Sequence, residues 1–286
     1  TLYRHAGHEQ AIDTGFTYVK EKLAEMVKAF EPYRESVLAI FCARGGMRSR
    51  SVVNLLLQAG YQAFQLEGGY KQYRRNVLNL LDNFQPKLIV IHGLTGTGKT
   101  RILQQLANSI DLEDLARHRS SLFGGLDREP SNQRSFESRL AQVIENLGEE
   151  PYFIEGESRK IGRVYTPKPL AMAMKEAILV KVHCNIETRI RRIIEDYPVT
   201  DEAVLEQIDA ILRSLKQKMG AVQVERMCEL LNEGNLEELV RTLLLDYYDK
   251  RYNRSMGSYR YDLEISSENI HEAARDLTAC RYSLLK

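Results

Sequence analysis

The 286 residues, with 43% hydrophobic and 28% charged side chains, have the make-up of an ordinary soluble globular protein of about two domains. The 40 Lys and Arg against 39 Asp and Glu leave a net charge of +1. That balance excludes a chain that binds polyanions through bulk charge, so any nucleic-acid site must come from local clustering. Four scattered cysteines form no CxxC pair and no zinc-ligand spacing, which argues against a disulfide scaffold and for a reducing, cytoplasmic setting. No run reaches about 18 apolar residues, and the start shows no signal peptide, so no membrane role is expected. The chain opens on Thr1 rather than Met, which reads as a truncated or processed start.

In chain order, residues 12–30 place Phe16, Val19, Leu23, Met26, Val27 and Phe30 at helical spacing before Pro32. Residues 36–41 form a short apolar run that reads as a buried strand and ends at Cys42. A helix over 51–59, a strand over 61–66 and a helix over 70–84 follow. Gln85-Pro86 marks a boundary. A second strand–loop–helix pattern then occupies a strand at 87–92 and a helix at 101–110. Further strands are predicted at 152–155 and 177–182. From residue 186 the chain turns helical, with helices over 205–219, 224–231 and 236–248. The expected fold class is α/β: an N-terminal parallel-sheet domain over 1–84, possibly truncated at its start, then an α/β domain with a helical C-terminal part over 85–286.

Gly93-Leu94-Thr95-Gly96-Thr97-Gly98-Lys99-Thr100 satisfies G-x-x-x-x-G-K-[ST] between a strand and a helix. Backbone amides curl around a phosphate in such a loop, and the helix start adds positive potential. Lys99 supplies a point charge, and the Thr100 hydroxyl is placed to hold magnesium. The motif specifies phosphate, not ATP; a diphosphate ester suits it equally. Glu155 and Glu157, at and beyond a strand end, are candidates to aid a metal.

Cys42-Ala43-Arg44-Gly45-Gly46-Met47-Arg48-Ser49 joins a strand to a helix. Loop amides, the helix start and the cations Arg44 and Arg48 all favour an anion, so the Cys42 thiol should ionise well below its free pKa of about 8.5. Cys184, Cys228 and Cys280 lack such a setting and read as packing residues. Five residues separate Cys42 from Arg48, the spacing of cysteine-dependent phosphatases and arsenate reductases, so a phosphatase-like loop stays open.

The two motifs in this order resemble the tRNA 2-selenouridine synthase family, which joins a rhodanese domain to a P-loop domain. The likeness extends to residues 115–124, where Ser120 replaces a usual glycine, and to Ser135-Phe136-Glu137, residues 155–162 and residues 244–252. It implies conversion of wobble 2-thiouridine to 2-selenouridine in the tRNA anticodon loop. The route it implies is an S-geranylated intermediate, with geranyl diphosphate and selenophosphate as co-substrates. Cys42 would carry selenium, and the P-loop would hold a diphosphate. His118, Arg119, Arg159 and Arg163 would line the same pocket as Glu155 and Glu157. Aromatics interleave with bases from residue 247 to 261, so Tyr248, Arg251, Tyr252 and Arg254 are RNA-binding candidates. Two rival readings stay open. One is a Cys-dependent phosphatase or sulfurtransferase fused to a small-molecule kinase. The other is a nucleotide-controlled RNA-binding protein without catalysis.

Overall fold

The structure is a computed structural model that describes residues 22–119, 121–124, 126, 129–199 and 201–283; the side chains of residues 253–255 also lie outside the description. The expected helical positions Phe16 and Val19, Ser120, and the Arg254 side chain therefore lie outside the described residues. The chain divides into two compact units, Thr1–Leu78 and Asn79–Lys286.

In the first unit, α1 (Leu23–Lys28) and a short 3-10 turn (Glu31–Tyr33) lead to β1 (Val37–Ile40), α2 (Met47–Gln58), β2 (Gln62–Gln65) and α3 (Gly69–Asp82), whose last turn crosses into the second unit. β1 and β2 pair in parallel, with Val37 beside Gln62 and Ile40 beside Gln65. The α2 crossover buries Val53 and Leu56. Tyr61 is 3% exposed; its hydroxyl donates to Glu31 at 2.9 Å, and the Arg34 guanidinium sits 4.5 Å above its ring.

The second unit runs β3 (Leu88–His92), α4 (Lys99–Leu103), β4 (Ser109–Ile110), α5 (Leu112–Ala116), α6 (Gln133–Glu145), β5 (Tyr152–Glu155), the hairpin β6 (Lys160–Ile161) and β7 (Val164–Tyr165), α7 (Lys168–Lys175) and β8 (Ile178–His183). There follow α8 (Ile186–Asp196), α9 (Glu202–Arg213), α10 (Lys216–Met219), α11 (Ala221–Asn232), α12 (Leu236–Thr242), a π-helical stretch Leu243–Tyr248, α13 (Asp249–Met256), β9 (Leu263–Ser266) and α14 (Ile270–Cys280).

Five parallel strands stand in the order β4-β5-β3-β8-β9. β3 and β5 are buried on both faces, which is why they read as unbroken apolar runs. Ile89, Ile91, Phe153, Val180 and Val182 pack with Ile102, Leu103, Ala273 and Leu277 from α4 and α14 on one face. A separate apolar cluster joins α8, α9, α11, α12 and the π stretch through residues such as Leu212, Met227 and Leu244.

Several elements correct the sequence expectations. The helix expected over 101–110 ends at Leu103; Asn108 adopts a left-handed φ of 57°, and Ser109–Ile110 pairs with β5 as an edge strand. The helix expected over 205–219 breaks at Ser214–Leu215. β9, α6 and α14 escaped the sequence reading. Among the described residues no helix is long and apolar enough to cross a membrane. Leu244 is fully buried in the helical cluster. Leu244→Ala is expected to lower unfolding free energy by about 2–5 kcal/mol, read from denaturant titration.

Candidate functional site

In the first unit, Cys42 lies just past β1 in a loop pinned from three sides. α3 receives the loop's carbonyls: the Tyr70 amide donates to Cys42 O at 2.9 Å, and the Lys71 amide to Ala43 O at 3.0 Å. Gly45 has φ +63° and lies against the Gly68 and Gly69 amides, where a Cβ would meet them at 2.9–3.0 Å. Gln65, at the end of β2, donates to Gly45 O at 2.7 Å and to the Ser49 hydroxyl at 2.8 Å.

The sulfur accepts from the Gly46 amide at 3.2 Å and from the Ser49 hydroxyl at 3.2 Å. Ser49 is 2% exposed. Its oxygen accepts from Gln65, so its single hydrogen is left for the sulfur or for Gly46 O at 3.1 Å. The Ser49 hydroxyl, then the Arg44 and Gly46 amides, lower the Cys42 thiol to about 6. The other cysteines go the opposite way. Burial raises Cys184 and Cys280, and raises Cys228 to about 11. The source of activation differs from the expectation in one respect: Arg44 and Arg48 are exposed, and the Arg44 contribution comes from its backbone amide.

In the second unit, the loop from Gly93 to Thr100 follows β3. Gly96 (φ +83°) and Gly98 (φ +86°) take left-handed conformations. A Cβ on Gly93 would lie 2.6 Å from the Thr97 hydroxyl and 2.8 Å from Val182 O. Thr97 is 2% exposed and bonds Leu94 O at 2.8 Å. The Lys99 ammonium is held over the loop by Gly93 O at 2.9 Å. α4 has only five residues, so the amides and Lys99 carry the positive potential more than a long helix dipole does.

Two arginines of α8 brace this loop. Arg189 donates through Nε to Thr95 O at 2.8 Å and forms a bidentate pair with Asp249 at 2.9 and 2.6 Å. Arg192 donates to Thr97 O at 3.0 Å and to Ser267 O at 2.6 Å. Both are 4% exposed. They lie outside the two loop motifs, so their bracing role leaves no local signature in the sequence.

A cavity of about 330 Å3 opens on the loop, lined by Lys99, Thr100, Arg119, Glu113, Glu157 and Tyr252, among others. Arg119 lies 4.6 Å from the Tyr197 ring centre and donates to Asp196 O at 2.8 Å. Glu155 is fully buried at the end of β5. One of its oxygens accepts the Glu113 amide at 2.9 Å; Oε2 has no hydrogen-bond partner. Burial first, then the Glu113, Asp111 and Glu157 charges, push its pKa well above the carboxylate range. Glu113, Glu155 and Glu157 offer carboxylate oxygens within 4.8 Å of one another. Glu113 was missed, because its distance of 42 residues from Glu155 gives no local pattern.

Other pocket candidates separate. The His118 ring packs against Gly162 and Gly124, and Arg159 and Arg163 are exposed at the β6–β7 hairpin; all three stand outside the cavity lining. The expected RNA residues separate too. Tyr248 is 7% exposed, sits in the helical core and accepts the Leu122 amide, so its ring is spent on packing. Tyr252 faces the P-loop cavity. Arg251 lies over the Tyr247 ring and donates to its hydroxyl at 2.7 Å.

Cys42 is expected to react with iodoacetamide ahead of the other three cysteines, with a rate midpoint near pH 6. Ser49→Ala should move that midpoint upward, because the largest lowering cause is its hydroxyl. Peptide mass mapping across pH reads both.

The model of the tRNA 2-selenouridine synthase AAA domain matches residues 86–280. A tRNA 2-selenouridine synthase of Pseudomonas syringae pv. syringae (strain B728a) is 31% identical, covering 96% of this chain and 81% of its own length. One of Nitrosomonas eutropha (strain DSM 101675 / C91 / Nm57) is 35% identical, covering 94% and 70%. A solved gluconokinase from Sinorhizobium meliloti 1021 aligns with 70% of this chain and 97% of its own at 15% identity, with a TM-score of 0.31, too low to bear on function. A match over residues 86–280, and relatives at 31% and 35% identity that align with nearly the whole chain, place it in the tRNA 2-selenouridine synthase family.

Proposed function

We propose that this chain converts wobble 2-thiouridine of tRNA to 2-selenouridine through an S-geranylated intermediate. The reading assigns residues 1–84 as a rhodanese-like domain and 85–286 as the P-loop domain. Family membership supports the tRNA and selenium parts. The observation that carries the two-stage chemistry is the coexistence of two separate anion-holding loops, one around a thiolate and one built for phosphate.

In the first stage, the thiocarbonyl sulfur of the uridine attacks C1 of geranyl diphosphate. The C–O bond breaks, and its electron pair leaves on the diphosphate. The loop amides of Gly93–Thr100 and the Lys99 ammonium stabilise that leaving charge. Arg119 lines the same cavity and adds a second cation. In the second stage, selenium supplied by selenophosphate replaces the geranylated sulfur at C2. The Cys42 thiolate, ionised at neutral pH and held by the Ser49 hydroxyl and the Gly46 amide, adds to C2 and expels geranylthiolate. The selenide-level selenium of selenophosphate then displaces Cys42 from C2 and loses its phosphoryl group to water as phosphate, so that no oxidant is needed.

The donors fit a magnesium ion. The unpartnered buried Oε2 of Glu155, with Glu113 and Glu157 beside it, would take a hard cation, and Thr100 would add its hydroxyl. Such an ion would neutralise diphosphate charge. These residues do the positioning: Glu155 fixes the Glu113 backbone, and Arg189 and Arg192 hold the loop carbonyls.

Intact mass spectrometry of tRNA incubated with the chain, geranyl diphosphate and selenophosphate tests the reading. A geranyl mass gain that is lost in Lys99→Ala is expected first. A sulfur-to-selenium gain that is lost in Cys42→Ala, with geranylation retained, is expected second. Unchanged tRNA mass with a folded protein and every donor present would reject the reading. Chelation by EDTA should stop the first stage, and Glu155→Gln should raise the magnesium concentration it needs.

A further inference from the structure

The sheet order β4-β5-β3-β8-β9 sends the chain outward on one side from β3 to β4 and β5, and on the other from β8 to β9. The switch point lies between β3 and β8. In open parallel sheets, ligands sit at the C-terminal strand ends over that point. His92 ends β3 there, and its register partner on β8 is Lys181, which in turn faces Glu264 on β9.

An aromatic group covers this place. The Tyr259 ring meets His92 edge-on at 4.8 Å and 67°, and Tyr261 does so at 5.7 Å and 78°. The Tyr261 hydroxyl lies 3.2 Å from His92 Nδ1. Gly156 makes room for the imidazole; a Cβ there would lie 1.8 Å from His92 Cδ2. His92 is thus seated between Tyr261 and Gly156 and fixes both tyrosines. Tyr259 nevertheless stays 48% exposed. Lys181 lies 5.8 Å from the Tyr261 ring centre, and Arg260 is exposed between the two tyrosines. His92 directly precedes Gly93, whose carbonyl holds Lys99.

We propose that Tyr259 and Tyr261, braced by His92, form a platform on which an unstacked RNA base stacks beside the phosphate loop, with Lys181 and Arg260 meeting the adjoining phosphates. An exposed ring, with Lys181 over the neighbouring Tyr261 ring and Arg260 next in the chain, matches the two parts of a single-stranded nucleotide: base face and backbone. Lys181 pairs with Glu264 at 3.2 Å in a half-exposed ion pair that a phosphate can enter, whereas a prenyl chain would use neither cation and would stay open to water. The proposal rests on the tRNA reading above and names the surface that receives the nucleotide. It replaces Tyr248, whose ring is buried, as the stacking group.

Fluorescence anisotropy with the full chain tests it, using two RNA hairpins. One is an anticodon stem–loop with a wobble uridine; the other is the same hairpin made abasic at that position. The wild type should prefer the base-bearing hairpin by about tenfold. Tyr259→Ala should bind both alike, whereas Tyr259→Phe should keep the preference. Lys181→Ala should weaken both hairpins and flatten the salt dependence. The exposed position of Tyr259 makes unchanged thermal unfolding the expected control result. A Tyr259→Ala protein that keeps the wild-type preference overturns the platform and leaves the tRNA reading standing. Equal binding of both hairpins by the wild type does the same. Failure of the wild type to bind either hairpin removes the tRNA reading and the platform with it.

Discussion

The phosphate loop depends on one buried ion pair. A loop with two glycines at positive φ has little rigidity of its own. Arg189 supplies it: one face of the guanidinium fork grips both Asp249 oxygens, and Nε holds Thr95 O. Burying the two charges carries a desolvation cost of several kcal/mol per ion, so the pair is a poor device for stability alone. Its bidentate geometry and the third bond to the loop give it a different value. It ties the loop, through Arg189, to Asp249 of the helical region, which lies 60 residues beyond Arg189 in sequence.

The helical region is shaped for that contact. The stretch Leu243–Tyr248 is π-helical, a wider winding that shifts the residues after it relative to a regular helix. Leu243, Leu244, Tyr247 and Tyr248 of this stretch are buried. Asp249 follows directly and meets Arg189, while Tyr252 faces the cavity. Core packing and loop bracing therefore share one helix. This explains why tyrosines that look like a nucleic-acid face in the sequence are turned inward.

What could be read in advance follows from range. Both anion loops were legible because each packs its glycines, cation and hydroxyl into eight consecutive residues. β3 and β5 were legible because a strand buried on both faces is apolar throughout. Gln65, Glu113, Asp249 and the loop-facing roles of Arg189 and Arg192 were not, since each acts on a partner 16 to 95 residues away. β4 was misread as helix because its two residues continue an apolar spacing begun in α4. The loop amides expected to favour the Cys42 thiolate do lower its pKa, but the largest cause is the Ser49 hydroxyl at 3.2 Å, while the Arg44 and Arg48 side chains are exposed and screened by water.

The same reasoning bears on Glu155. A carboxyl group with no exposure, one unbonded oxygen and three acidic neighbours is unfavourable for folding in itself. Its cost is lowered by protonation or by a cation, and its place at the end of β5, next to the strand that launches the phosphate loop, makes a cation useful. Its other oxygen already orders the Glu113 backbone. Strain of this kind concentrates at sites of chemistry, and here it lies beside the cavity that holds Lys99. Arg189 and Glu155 thus work alike: each carries a desolvation cost that the fold covers elsewhere, in exchange for a fixed geometry around the phosphate loop.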